Sequence, residues 1–331
     1  MSNLEVEPQE LVCEADPVPV GEVEVLEPRM VPLGGPRAMT VRRTLPQRGR
    51  SLIGAWCFAD HYGPDDVAAT GGMVVPPHPH TGLQTVSWLF AGEIEHRDST
   101  GAHAMVRPGE LNLMTAGGGI QHSEVSVSTG STGEEGGILH GVQLWTALPE
   151  SARYRAPMFE RYIPDVVDFE GARVSVFLGS LLGSTSTATA FTPIVGAQVD
   201  LPANTAISVP AEAGFEYGVL VDTGTVSLDG VAIPAAHVGY RAPGATRLDL
   251  ATADTPARVI LLGGEPFGES IVMWWNFVGR SHDDIVASRA TWMAEVIGGA
   301  DPEGRFGQVV GYNGRALPAP ELPLGRLRPR A

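Results

Sequence analysis

The chain of 331 residues contains no lysine; all 22 of its basic residues are arginine. That absence excludes lysine Schiff bases, pyridoxal-phosphate attachment and the lysine of a phosphate-binding loop. The Gly117–Gly119 run is not such a loop either, because no Gly-Lys-Ser/Thr follows it. Cysteine is scarce. Cys13 and Cys57 are too few for a disulfide scaffold. Cys57, in the apolar stretch "LIGAWCF", reads as a small core residue, and Cys13 as a solvated one. No stretch approaches the roughly 18 uninterrupted apolar residues of a membrane-spanning helix. The N-terminal "MSNLEVEPQELVCEADPVPV" has neither the basic start nor the apolar segment of a signal peptide. A cytoplasmic protein with no membrane association is expected. Positive charge is also short. With 38 acidic residues the net charge is −16, which repels phosphate backbones and argues against direct nucleic-acid binding.

What is present is turn chemistry. Gly 41 and Pro 27 accompany a globular composition of 43% hydrophobic and 18% charged residues. Residues 1–28 carry eight acids and no base and read as a flexible acidic arm, part of which can lie along a sheet edge. From residue 29 to 150, short alternating runs are broken by turns, as in "LQTVSWLFAGEIEHRDSTGAH". This predicts an all-β sandwich or jelly roll. Residues 151–189 read as a linker followed by new strands. Residues 190–297 hold a second small β-barrel and then one helix. Ser281 caps that helix, acids fill its first turn and a glycine pair closes it. Residues 298–331 read as an irregular tail.

The candidate chemistry lies in "VVPPHPHTGLQT" and "AGGGIQHSE". His78 and His80 are two apart, so an extended strand projects both imidazoles to one face. Pro79 suits a strand start or edge. Alone, the pair reads rather as two solvated loop histidines. His122 and Glu124 repeat the spacing after a glycine bend. Two such strands facing each other would gather three imidazoles and a carboxylate around one point. That donor set suits Fe, Mn, Ni, Cu or Zn, and four protein ligands leave two positions open on an octahedral ion. Glu124 is also the one nearby candidate for a catalytic base.

These segments, with "HPHTGLQTVSWLFAGEIEHRDSTG", "RPGELNLMTAGGGIQHSE", "GVQLW" and "GGEPFGESIVMWWNFV", resemble the pirin family of the cupin superfamily in that family's order. The resemblance implies two cupin (jelly-roll) barrels packed face to face, with a C-terminal helix and metal only in the N-terminal barrel. It carries the family's ligands onto His78, His80, His122 and Glu124 and implies Fe(II) as the usual ion. It implies one of two functions. Some members are flavonol (quercetin) 2,3-dioxygenases acting on a small aromatic substrate. Others are redox-sensing iron proteins that regulate a metabolic enzyme or transcription-related partner by protein contact. Many cupins place a carboxylate where Gln84 stands. Gln84 either orients a ligand histidine or faces solvent.

The remaining histidines read more quietly. His96, on the strand after the Ala-Gly turn, is a barrel-rim residue or a pocket proton shuttle. His61 in "ADHYGP" reads as a turn residue. His103, His140, His237 and His282 lack partners at ligand spacing. With His237 as its lone histidine, the second barrel lacks the ligands for a metal. Trp274 and Trp275 read as core anchors between barrel and helix. Ser123 points to the face opposite its ligand neighbours, with no hydrolase triad around it. Two barrels in one chain satisfy their own packing, so a monomer is expected.

Overall fold

The computed structural model describes residues 21–33, 39–127 and 137–329. Cys13 and most of the expected acidic arm lie outside the described residues. The fold is all-β, as the turn-rich sequence predicts. A seven-stranded sheet and a four-stranded sheet form the first barrel. The large sheet includes Met39–Leu45, Trp56–Asp66, Leu83–Ala91, Leu111–Thr115 and Ile138–Ala147. The small one runs in the order Val74–His80, Ile120–Ser126, Ile94–Asp98, His103–Val106. The second barrel repeats the plan with an eight-stranded and a four-stranded sheet. Part of the expected arm is ordered there: Val23–Leu26 pairs antiparallel with Val238–Arg241 at the edge of the large sheet. The expected linker is divided between the barrels. Met158–Tyr162 joins the first, and Val166–Phe169 and Ala172–Leu181 join the second.

The two large sheets pack against each other. Their shared core joins Ile53, Trp56, Val86, Trp88 and Leu144 of the first barrel to Phe177, Leu178, Leu220 and Leu262 of the second. Polar bonds cross the same interface. The Trp56 indole N–H donates to the carbonyls of Val195 and Gly263, at 3.2 and 3.3 Å, and Trp88 Nε1 donates to Gln198 Oε1 at 2.8 Å. Gly54 is required here. Its φ is +55°, and a Cβ would meet Gly264 Cα at 2.8 Å.

The expected helix runs over His282–Trp292 with a full capping box between Ser281 and Asp284, and continues as a π turn over Met293–Ile297. Trp274, Trp275, Trp292 and Phe306 share one core cluster, so the tryptophan pair does anchor the helix. The described tail has no regular structure, yet it is fastened to the first barrel. Leu317 N–H donates to the Pro77 carbonyl at 2.8 Å, and Gln121 Nε2 donates to the Gly307 carbonyl. No helix among the described residues is long and apolar enough to cross a membrane.

Candidate metal centre

The small sheet of the first barrel sets the register of the candidate ligands. His122 lies directly opposite His78 on one side and Asp98 on the other, and Glu124 lies opposite His96. Directly opposed residues share a face, so His78, His80, His96, Asp98, His122 and Glu124 all point the same way. The pairing with Val74–His80 shifts between His122 and Glu124, where Pro76 and Pro77 lie on the facing strand. Those prolines are tolerated because this is the sheet's edge strand, with no ladder bonds to lose on its far side. The glycine bend before His122 is equally specific. Gly117 has φ +53°, and a Cβ there would lie 1.9 Å from the Arg155 carbonyl oxygen.

His78, His80, His122 and Glu124 are each 0% exposed. One ring nitrogen from each of His78, His80 and His122 falls within 4.8 Å of the others. His80 Nε2 and His122 Nε2 are 3.0 Å apart. Glu124 falls in an overlapping group with His122 and His96. The rings are oriented from behind. A carbonyl only accepts, so the 2.8 Å contact of His78 Nδ1 with the Pro76 oxygen places the proton on Nδ1. Nε2 of His78 is then a bare lone pair, buried without a partner. Asp98 Oδ2 accepts from His96 Nε2 at 3.0 Å, and His96 Nδ1 lies 3.4 Å from His122 Nδ1. That relay directs the free nitrogen of His122 back toward His80. Burial pushes the His78 imidazolium down to about 3, and burial plus neighbouring imidazoles hold His80 and His122 well below the ordinary histidine range. All three rings are therefore neutral near pH 7, the form that ligates a metal.

Across the barrel, the large sheet presents a polar row to these histidines. Arg43 and Asp60 form a bidentate buried pair at 2.7 and 2.8 Å, and Ser87 Oγ donates to Gln143 Oε1 at 2.9 Å. Register places Asn112, Ser87, Gln143 and Asp60 side by side. Both amide atoms of Asn112, Gln143 Nε2, Tyr62 Oη and Trp145 Nε1 are buried with no hydrogen-bond partner among the described residues. Trp145 stacks on Phe58 at 4.0 Å and meets His80 edge-on at 5.2 Å. Burial and the Glu124 charge raise the Tyr62 phenol well above its usual range.

Several sequence expectations are corrected. Gln84 orients no histidine and does not face solvent; its bonds go to Thr115, Thr146 and the Thr189 carbonyl. His96 is not at the rim: it is 3% exposed, stacks on Phe159 at 4.7 Å and lies behind His122. His61 is not in a turn, because Trp56–Asp66 runs as one strand through "ADHYGP". His140 does have partners. His61, His140 and Asp222 form a third buried group with ligand atoms within 4.8 Å. His103 is exposed and paired with Glu95, His237 bonds the Ala235 carbonyl, and His282 accepts from Leu327 N–H. Asp98 was missed, although "HRD" shows the same spacing of two as the ligand pairs. Cys57 is buried, and burial lifts its thiol to about 12, so it is inert.

Comparison with known proteins agrees with this architecture. The pirin family profile matches residues 38–146, and the pirin C-terminal cupin domain matches residues 196–297. A Pseudomonas aeruginosa protein that carries the provisional name quercetin 2,3-dioxygenase is 38% identical over 89% of each chain. A pirin-like protein of Caulobacter vibrioides is 36% identical over 77% of this chain and 88% of its own. The crystal structure of a quercetin 2,3-dioxygenase from Acinetobacter baumannii superposes with a TM-score of 0.84 at 36% identity, covering 93% of this chain and 97% of that one. Two matched barrels, a histidine-lined first interior and relatives of this closeness make the chain a member of the pirin family, with two cupin barrels in one polypeptide.

Proposed function

We propose that this chain is an iron-dependent dioxygenase of the flavonol type, acting in the cytoplasm, with Fe(II) held by His78, His80, His122 and Glu124. The observation that carries the reading is the convergence of three buried, neutral imidazoles with a carboxylate beside them. The donor set fits a divalent ion: the lone pair on His78 Nε2 has no other partner, and the tautomers of His78 and His122 are fixed by the groups behind them. The nitrogen and oxygen donors also accommodate Mn, Ni, Cu or Zn. When bound, the ion supplies Lewis acidity and a common meeting point for a substrate oxygen and dioxygen.

The protein's own groups do the rest. The Pro76 carbonyl and the Asp98–His96 pair hold the imidazoles in place, so little reorganisation accompanies reaction. Glu124, fully buried, accepts the proton that a flavonol hydroxyl loses as it docks. Asn112, Gln143 and Tyr62 offer unused donors and acceptors to a substrate carrying several hydroxyls. Phe58 and Trp145 supply an aromatic wall.

Iron-loaded protein assayed aerobically with quercetin should consume the flavonol far faster than a His122→Ala control. Equal rates in the two would remove the enzymatic reading. Full burial of the ligands supports a second reading, a redox-sensing iron protein acting through a protein partner. In that case oxidised and reduced protein should retain different partners in a pull-down. Identical partners together with flavonol turnover favour the enzyme.

A further inference from the structure

A separate convergence of ligand atoms lies between the barrels. His61 and His140 come from neighbouring strands of the first barrel, and Asp222 comes from Glu216–Thr223 of the second. Asp222 Oδ1 is 2.7 Å from His61 Nε2 and 2.6 Å from His140 Nε2. The two nitrogens are 3.3 Å apart, and the three side chains are 2%, 9% and 0% exposed. Bare lone pairs repel at these separations, so positive charge must lie among them, as two protons or as one cation. Two nitrogens bound tetrahedrally to one ion at about 2.0–2.1 Å stand about 3.3 Å apart, the spacing seen here. The nitrogen–oxygen edges are shorter and would open on binding.

The surroundings permit the cation. Burial keeps His61 neutral, and although burial opposes the Asp222 carboxylate, hydrogen bonds from His140 and His61 hold it down at about 2. A cation at Oδ1 takes the place of the two Nε2 protons that those bonds supply. His61 Nδ1 is buried without a partner, so nothing behind the ring fixes the proton on either nitrogen. Arg258 donates to the other oxygen, Oδ2, at 3.4 Å and to Asp200 at 2.9 Å, which leaves Oδ1 to the cluster.

Arg42 closes the remaining side, with Nη2 3.3 Å from His61 Nε2. That contact is no hydrogen bond while His61 Nε2 donates to Asp222, and the same Nη2 donates instead to the Gly63 carbonyl. Arg42 and Asp65 line one cavity of about 480 Å³, which gives the displaced guanidinium another carboxylate to face.

We propose that His61, His140 and Asp222 form a second divalent-cation site, of the zinc or borderline first-row type, which pins the two barrels together. To test it, full-length protein carrying His78→Ala and His122→Ala is stripped with chelator and titrated with Co(II), read by visible absorption and element analysis. The expected result is one Co(II) per chain. Adding Asp222→Asn removes it, and adding Arg42→Gln keeps it and tightens binding several-fold. No uptake in the parent double variant, or uptake indifferent to Asp222→Asn, overturns the proposal. Should the double variant fail to fold, the otherwise unaltered chain must bind two equivalents and Asp222→Asn one; equal stoichiometry in both overturns it as well.

Discussion

The two barrels share one plan and fill it in opposite ways. The second is packed from wall to wall with apolar side chains, from Ala172, Val174 and Val176 through Val219 and Val221 to Val259 and Leu261. The one hydroxyl in that cluster, on Tyr217, accepts from Glu212 N–H at 2.7 Å. The first barrel is apolar in two separate clusters. Buried polar and titratable groups fill much of the rest: the histidine trio and Glu124 on one sheet, Arg43, Asp60, Gln143 and Asn112 on the other. Burying such groups costs stability unless each finds a partner. The comparison teaches a division of labour. The second barrel and the shared tryptophan-rich interface hold the molecule together, and the first interior keeps unpartnered donors and acceptors on Asn112, Gln143 and Tyr62.

The largest expected break in that comparison is His122→Ala. It removes the residue shared by both first-barrel ligand groups, and it should abolish metal retention and lower flavonol turnover by more than about a hundredfold, checked by element analysis and steady-state assay. The reciprocal change is Leu261→Ala in the second barrel. It should cost about 2–5 kcal/mol in denaturant titrations while metal content per folded chain stays constant. Next is Asp98→Asn, which weakens the hold on His96 and so on His122. Metal affinity should fall about 10–100-fold by competition titration with a chelator, with the ligands themselves intact.

The comparison also shows in pH. The folded His78 pKa is about 3 against an ordinary 6.5. Between these values the unfolded chain binds the extra proton. His78's share of the metal-free protein's stability should therefore be constant above about pH 6.5 and fall as pH drops toward 3, by about 1.4 kcal/mol per pH unit. His78→Asn should flatten that slope in urea titrations between pH 7 and 5.

How much of this was legible in sequence follows from the range of the contacts. The HxH and HxE pairs are local signals. Alternation alone put both members of each pair on one face, and the fold brought the pairs opposite one another. The helix was legible for the same reason, since its cap and first-turn acids lie within four residues. Val23–Leu26 was harder, because an edge strand that borrows its partner from more than 200 residues away carries no turn signal of its own. Gln84 was ambiguous because in a strand buried on both faces alternation does not say which side faces the histidines. The His61–His140–Asp222 cluster was invisible. Its members are 79 and 161 residues from His61, and they meet only when the barrels pack. "ADHYGP" reads as a turn by composition, yet the large sheet pairs on both sides of it, with a register shift at Gly63–Pro64.

The most direct test of the central claim is an anaerobic titration of quercetin into Fe(II)-loaded protein, followed by visible absorption. A polar first barrel with an open ion and a buried base should bind the flavonol as its anion, shifting its long-wavelength band to the red with one flavonol per iron. His122→Ala protein should leave the band where it lies in buffer. An unshifted band with the iron-loaded protein, or the same shift with and without His122, would contradict the account.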